Sequence, residues 1–189
     1  MKDIKELPKY LSQEEVKKFL SQISDPRDRA LFGLIYHYGL RVTEATLLTI
    51  NDINLQKHKI FVRRLKGGVS GEKPLWRHTA KLLRAYLRER IPKGLSLFTG
   101  REGPMKKRRI EQLFQIYAKM ANLNNRYTVH SLRHSIAVHL LDAGQPLELV
   151  QDHLGHRYIT NTQVYARISN PRRDAFFHEV EYHPAVVRV

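Results

Sequence analysis

Residues 130–167 read HSLRHSIAVHLLDAGQPLELVQDHLGHRYITNTQVYAR. His130 and Arg133 stand three apart, so on a helix or its first turn their side chains share a face. A guanidinium presents a planar fork that fits two oxygens of one anion, and a histidine N–H adds another charge-assisted bond. Without further context the same letters also describe a helix start with a surface arginine and a packed histidine. His134 and His139 read as packing residues. Tyr165 falls within a helical pattern, where a single tyrosine ordinarily packs.

His130 and His134 are spaced like the pair in H-E-x-x-H, a spacing that zinc sites use. Ser131 occupies the position of that motif's general base, and no carboxylate is spaced as a third ligand. The chain has no cysteine, which removes disulfides, thiolate nucleophiles and cysteine-based zinc sites. No metal and no cofactor are expected.

Charge points to a partner. The 189 residues carry 33 Lys and Arg against 18 Asp and Glu, a formal net charge of +15. A field of that sign concentrates phosphates, and each neutralised DNA phosphate releases counterions. A soluble basic protein with no polyanionic partner is the plainer alternative. With 42% apolar residues the chain can bury a core of one domain. No apolar run approaches the roughly 20 residues that span a bilayer, and the start MKDIKELPKY lacks a signal-peptide core, so a cytoplasmic protein is expected.

Along the chain the pattern is mostly helical. Ser12 and Glu15 form a capping box before a first helix, and Pro26 opens a dense apolar helix that closes near Gly39. Thr43 is placed to cap a short helix with Leu47 and Leu48 facing inward. From Asp52 the texture alternates, and the turn glycines of KGGVSGEKPLW separate two strand-like pieces of a small antiparallel sheet. Helical pattern resumes at HTAKLLRAYLRERI, pauses through PKGLSLFTGREGP, and returns in KKRRIEQLFQIYAKMANL and three later segments. The expected fold is mainly α with a small antiparallel β-sheet, an α+β class.

The order of the motifs resembles one family, the tyrosine recombinases or phage-type integrases. YGLRVTEATLLTINDI looks like its first-arginine motif, with Arg41 as that arginine and Glu44 as its acidic support. HSLRHSIAVHLLDAGQPLELVQDHLGHRYITNTQVYAR is similar to its second box and supplies His130, Arg133, His156 and the nucleophile Tyr165. In LKGGVSGEKPL, Lys66 aligns with the catalytic lysine and Lys73 is the alternative; Val69 and Gly71 replace a usual basic pair, so a looser turn is expected.

The resemblance implies a site-specific recombinase, Xer-like or of the single-domain inversion kind. It would cut and rejoin DNA through a 3′-phosphotyrosine without metal or ATP. Arg41 and Arg133 would bracket the scissile phosphate, with His130 the implied base and Lys66 the acid. A type IB topoisomerase and a catalytically silent DNA-binding regulator on the same fold stay open. Lys106, Lys107, Arg108 and Arg109 are placed at a helix start for DNA contact, with Arg63, Arg64 and Arg157 as weaker candidates.

Residues 1–170 are expected to form the catalytic domain, with no N-terminal core-binding domain before it. The chain reads either as a minimal recombinase or as a catalytic part. The tail, 171–189, carries Phe176, Phe177, Val180 and Tyr182 at helix-compatible spacing, to dock on its own domain or on a neighbouring protomer. The implied partner is double-stranded DNA with inverted-repeat sites, held by a homo-tetramer, and no membrane.

Overall fold

A computed structural model of the chain describes residues 7–91, 94–166 and 168. The tail, residues 171–189, and the docking expected of it lie outside them.

Eight helices and five short strands follow one another: α1 (Gln13–Ser21), α2 (Pro26–His37), α3 (Val42–Thr46), β1 (Ile53–Asn54), β2 (Lys59–Val62), β3 (Gly71–Pro74), α4 (Arg77–Glu89), β4 (Thr99–Gly100), β5 (Gly103–Pro104), α5 (Lys107–Met120), α6 (Val129–Asp142), α7 (Leu147–Leu154) and α8 (Thr160–Ala166). The described residues are therefore mainly helical with small antiparallel sheets, as expected. The segment read as an unstructured pause contains the β4–β5 hairpin, whose two-residue strands are too short to leave an alternating pattern.

The helix ends follow local chemistry. The capping box of α1 is formed, with the Ser12 hydroxyl accepting from the Glu15 amide and the Glu15 carboxylate accepting from the Ser12 amide. Asp25 caps α2 by accepting from the amides of Arg27 and Asp28, and Pro26 takes the first turn, where its missing N–H costs nothing. The cap of α3 differs from expectation. Arg41 is the cap residue and its amide donates to the Glu44 carboxylate, so Thr43 lies inside the helix. The short helix turns Leu48 into the core and leaves Leu47 on the surface, correcting the inward placement of both.

Strand β2 is the middle of the order β1-β2-β3, antiparallel on both sides. Its alternation puts Ile60 and Val62 in the core and Phe61 outside. Helix α6 packs against α1, α2, α5, α7 and α8. Most of its residues are buried, polar ones such as Ser131, Arg133 and Ser135 included. A larger core lies on one side of it, where Phe19, Phe32 and Phe114 meet at centroid distances of 5.0–6.2 Å. A second core of Ile136, Val138, Leu141, Val150 and Leu154 includes the ring of Tyr165.

Phe32→Ala is expected to cost about 3–5 kcal/mol in urea unfolding, because it empties the junction of three rings. Phe61→Ala, on the outer face of β2, is expected to cost under about 1 kcal/mol. Equal losses from the two would contradict the placement of the core.

Candidate active site

The site is organised by a carboxylate. Glu44 on α3 has no exposed side-chain surface, and its two oxygens are fully engaged. One accepts from the Arg41 guanidinium at 2.6 Å and the Leu65 amide at 3.1 Å. The other accepts from the Arg41 amide at 2.8 Å and the Arg64 guanidinium at 3.0 Å, with Arg133 at 3.8 Å. Burial alone would raise the Glu44 pKa, but the Arg41 amide, the Arg64 charge and the Arg41 guanidinium outweigh it and hold the carboxyl below its ordinary value. One carboxylate for three guanidiniums leaves a formal excess of two positive charges at this point.

Arg64 has no accessible side chain either. It donates to the carbonyls of Tyr38, Gly39 and His153, so it ties the end of α2 to the end of α7. It cannot reach DNA, which corrects its reading as a DNA contact. The sequence carries a signal: Arg64 continues the buried alternation of Ile60 and Val62 two residues past the end of β2. Gly155, the C-cap of α7, has φ +65°, and a Cβ there would stand 2.7 Å from Arg64 Cγ and 2.7 Å from the Val69 carbonyl oxygen. Glycine is needed for both reasons. The Gly155 carbonyl accepts from the Val69 amide at 3.1 Å, which fastens the turn expected to be loose at one point.

Arg133 is buried on α6. It donates to the carbonyls of Gly39 and Leu154 and, at 2.9 Å, to His156 Nε2. His156 therefore accepts at Nε2 and donates from Nδ1 to Thr162 Oγ1 at 2.9 Å, a neutral tautomer set by α8. Desolvation and the charges of Arg133, Arg41 and Arg64 lower its pKa to about 4. Arg133 is pushed down to about 9, by desolvation first and then by Arg64 and Arg41, and remains cationic at neutral pH.

Tyr165 is buried, and His134 Nδ1 lies 2.8 Å from its hydroxyl. Burial raises the phenol pKa, while Arg133 and Arg41 pull against that rise. His134 is thus part of the site and not a packing residue, a correction that its position one turn after His130 could have signalled. The His130 and His134 rings meet edge to face at 4.4 Å. His130, in the first turn of α6, keeps an exposed edge toward a cleft. Lost hydration at the packed side of its ring, and then the charges of Arg133 and Arg41, lower its pKa to about 4. His139, by contrast, is buried and bonded to the Tyr36 hydroxyl, a packing role as expected.

That cleft has a volume of about 1060 Å³ and is lined by Arg41, Lys66, Lys107, Arg108, Arg109 and His130 among others. A second hollow of about 240 Å³ joins Arg41 and Lys66 to His156 and Arg157. Lys66 thus lines both hollows, one with His130 and the other with His156. It holds φ +55°, a left-handed conformation costly for a residue with a Cβ. Lys73 instead pairs with Asp152 at 2.8 Å. Lys106 caps α5, and Lys107, Arg108 and Arg109 fill its first turn, all exposed. Arg157 is exposed at the rim, and Arg63 pairs with Asp52 on the sheet. Among the described residues no group of three His, Asp or Glu side chains converges to hold a metal ion, and no helix is long and apolar enough to cross a membrane.

Residues 9–172 match the phage integrase family. The chain belongs to that family. Among relatives, the tyrosine recombinase XerA of Pyrococcus horikoshii is 34% identical over 87% of this chain and 59% of its own length. Tyrosine recombinase XerC of Halalkalibacterium halodurans is 34% identical over 93% of this chain and 63% of its own. The chain therefore spans about three fifths of the relatives it matches. The crystal structure of a XerA recombinase superposes with a TM-score of 0.82 at 27% identity, covering 96% of this chain and 67% of that one. A XerH site-specific recombinase bound to a palindromic difH substrate, in a post-cleavage complex, gives 0.77 at 26%, covering 94% and 54%.

In this member of the family, stability is expected to depend on pH through its buried imidazoles. His37, His153 and His156 are lowered to about 4 and His134 to about 3, each by desolvation first. Unfolding returns them to about 6.5, so the unfolded chain binds more protons below that pH. Their contribution is intact above pH 6.5 and is lost progressively as pH falls toward 4. The melting temperature should drop by at least about 6 °C between pH 7.5 and 5 at fixed ionic strength. A flat profile would show that these rings are not held neutral.

Proposed function

We propose that this chain is the catalytic part of a site-specific DNA recombinase that cuts and rejoins strands through a 3′-phosphotyrosine. The observation that carries the reading is the excess positive charge around Glu44, which meets a basic cleft through Arg41 beside His130 and Lys66. Such a cluster is complementary to an anion whose charge grows during reaction. The family membership and the relatives' names support it.

In this reading Arg41, which keeps 24% of its side chain exposed, and the outer edge of Arg133 receive the non-bridging oxygens of the scissile phosphate. A phosphate oxygen replaces His156 as the acceptor of the Arg133 N–H. The imidazole, now beside an anion, gains a proton and becomes a donor. Tyr165 Oη attacks phosphorus, the P–O5′ bond breaks, and Lys66 protonates the leaving 5′ oxygen. The ester energy is kept, so the 5′-hydroxyl of another strand reseals the backbone without ATP or a metal. Lys106, Lys107, Arg108 and Arg109 hold flanking phosphates at the start of α5, where the helix dipole adds to their charge. Arg157 and Arg63 lie farther out. The partner is double-stranded DNA with inverted-repeat sites, synapsed by four protomers in the cytoplasm.

The test is a pool of random-sequence duplexes, each nicked so that the 5′-hydroxyl product can diffuse away, incubated with the protein in EDTA. Covalent adducts should appear on a denaturing gel with the wild type and vanish with Tyr165→Phe. An equal yield from Tyr165→Phe would sink the assignment. On a duplex recovered from the adducts, Arg133→Ala should slow adduct formation about 10²-fold or more, with little loss of affinity. Replacing Lys107 and Arg108 together by Ala should reduce the slope of log K against log salt by about 2. An unchanged slope would remove the start of α5 from the interface.

A further inference from the structure

The sequence resemblance makes His130 the base for the nucleophile, but the geometry places another ring against the tyrosine. His134 Nδ1 is 2.8 Å from the Tyr165 hydroxyl, and their ring centroids are 5.6 Å apart. We propose that His134 takes the phenolic proton as Tyr165 attacks, leaving His130 to face the phosphate. This rests on the recombinase reading above.

The proposed transfer sets the tautomer. The phenol hydroxyl donates to Nδ1, so His134 rests neutral with its proton on Nε2. In the attack, a lone pair of Tyr165 Oη forms the bond to phosphorus, and the P–O5′ electron pair leaves with the 5′ oxygen. The phenolic proton passes to Nδ1, and the 5′ oxygen takes one from Lys66. The reverse step, resealing, returns the proton from His134 to the phenolate, so no further reactant is needed.

Position makes the transfer conditional. His134 lies one helical turn from His130 and next to Arg133, and those neighbours oppose a new positive charge on its ring. A bound phosphodiester, with its charge rising in the pentavalent state, offsets that opposition. His134 would accept the proton readily when DNA occupies the site and poorly when it does not. The buried phenol then stays protonated and unreactive until its substrate arrives. The edge-to-face contact at 4.4 Å also fixes the His134 ring so that Nδ1 keeps its aim.

Two substitutions separate proton transfer from positioning. His134→Asn sets an amide oxygen where Nδ1 stood, able to accept the hydroxyl hydrogen bond but not its proton; His134→Ala removes both. On the duplex recovered with the wild type, both should slow adduct formation about 10²-fold while affinity for that duplex changes less than about threefold. Placing 3,5-difluorotyrosine at 165, a more acidic phenol, should restore at least about tenfold of the rate in both variants and none in Lys66→Ala. A His134→Asn rate near wild type would reduce His134 to a positioning residue and overturn the proposal. So would slowing without rescue by the fluorinated phenol. If the wild type itself forms no adduct, it is the recombinase reading that fails; a wild-type adduct indifferent to His134 fails this inference alone.

Discussion

One buried carboxylate makes the site possible. Three guanidiniums converging in a protein interior repel one another, and each loses hydration on the way in. Glu44 offsets part of that cost by accepting from Arg41 and Arg64 and lying near Arg133, while backbone carbonyls at Tyr38, Gly39, His153 and Leu154 accept from the terminal nitrogens of Arg64 and Arg133. These carbonyls belong to the ends of α2 and α7, which are thereby held to α3, α6 and the end of β2. The compensation is incomplete. What is left over is positive charge directed at a cleft, and an anion completes it.

The same charge explains why the titratable groups rest as they do. His130 and His156 stand neutral beside arginines, and Tyr165 stays protonated against His134. Each is in the form that a phosphate would reverse: histidines that gain protons beside an anion, and a phenol that loses one as phosphorus is attacked. In the proposed reaction, substrate charge and catalytic protonation are coupled through electrostatics at short range.

Much of this was legible in the sequence because the family's motifs lie on helices with fixed spacing. Arg41 with Glu44, and His130 with Arg133, are pairs three apart, and the alternation around Ile60 and Val62 located the sheet. What escaped was long-range. Arg64 reads in the sequence as a weaker candidate for DNA contact because its partners, Glu44 and three distant carbonyls, cannot be inferred from composition. His134 was read as packing because its partner Tyr165 arrives from α8. Thr162, which sets the His156 tautomer, carries no local signal at all. Leu47 went the other way, because a helix of five residues is too short for its pattern to choose a face.

Glu44 and Arg64 act as one buried unit that holds the site together. A double-mutant cycle measures it directly, by urea unfolding of the wild type, Glu44→Gln, Arg64→Met and the double variant. The account predicts that each single change costs about 3–5 kcal/mol, since each leaves an uncompensated partner, and that the double costs at least about 2 kcal/mol less than their sum. Single losses that add to within about 0.5 kcal/mol would contradict it, and would mean that the three arginines are held in place by the backbone alone.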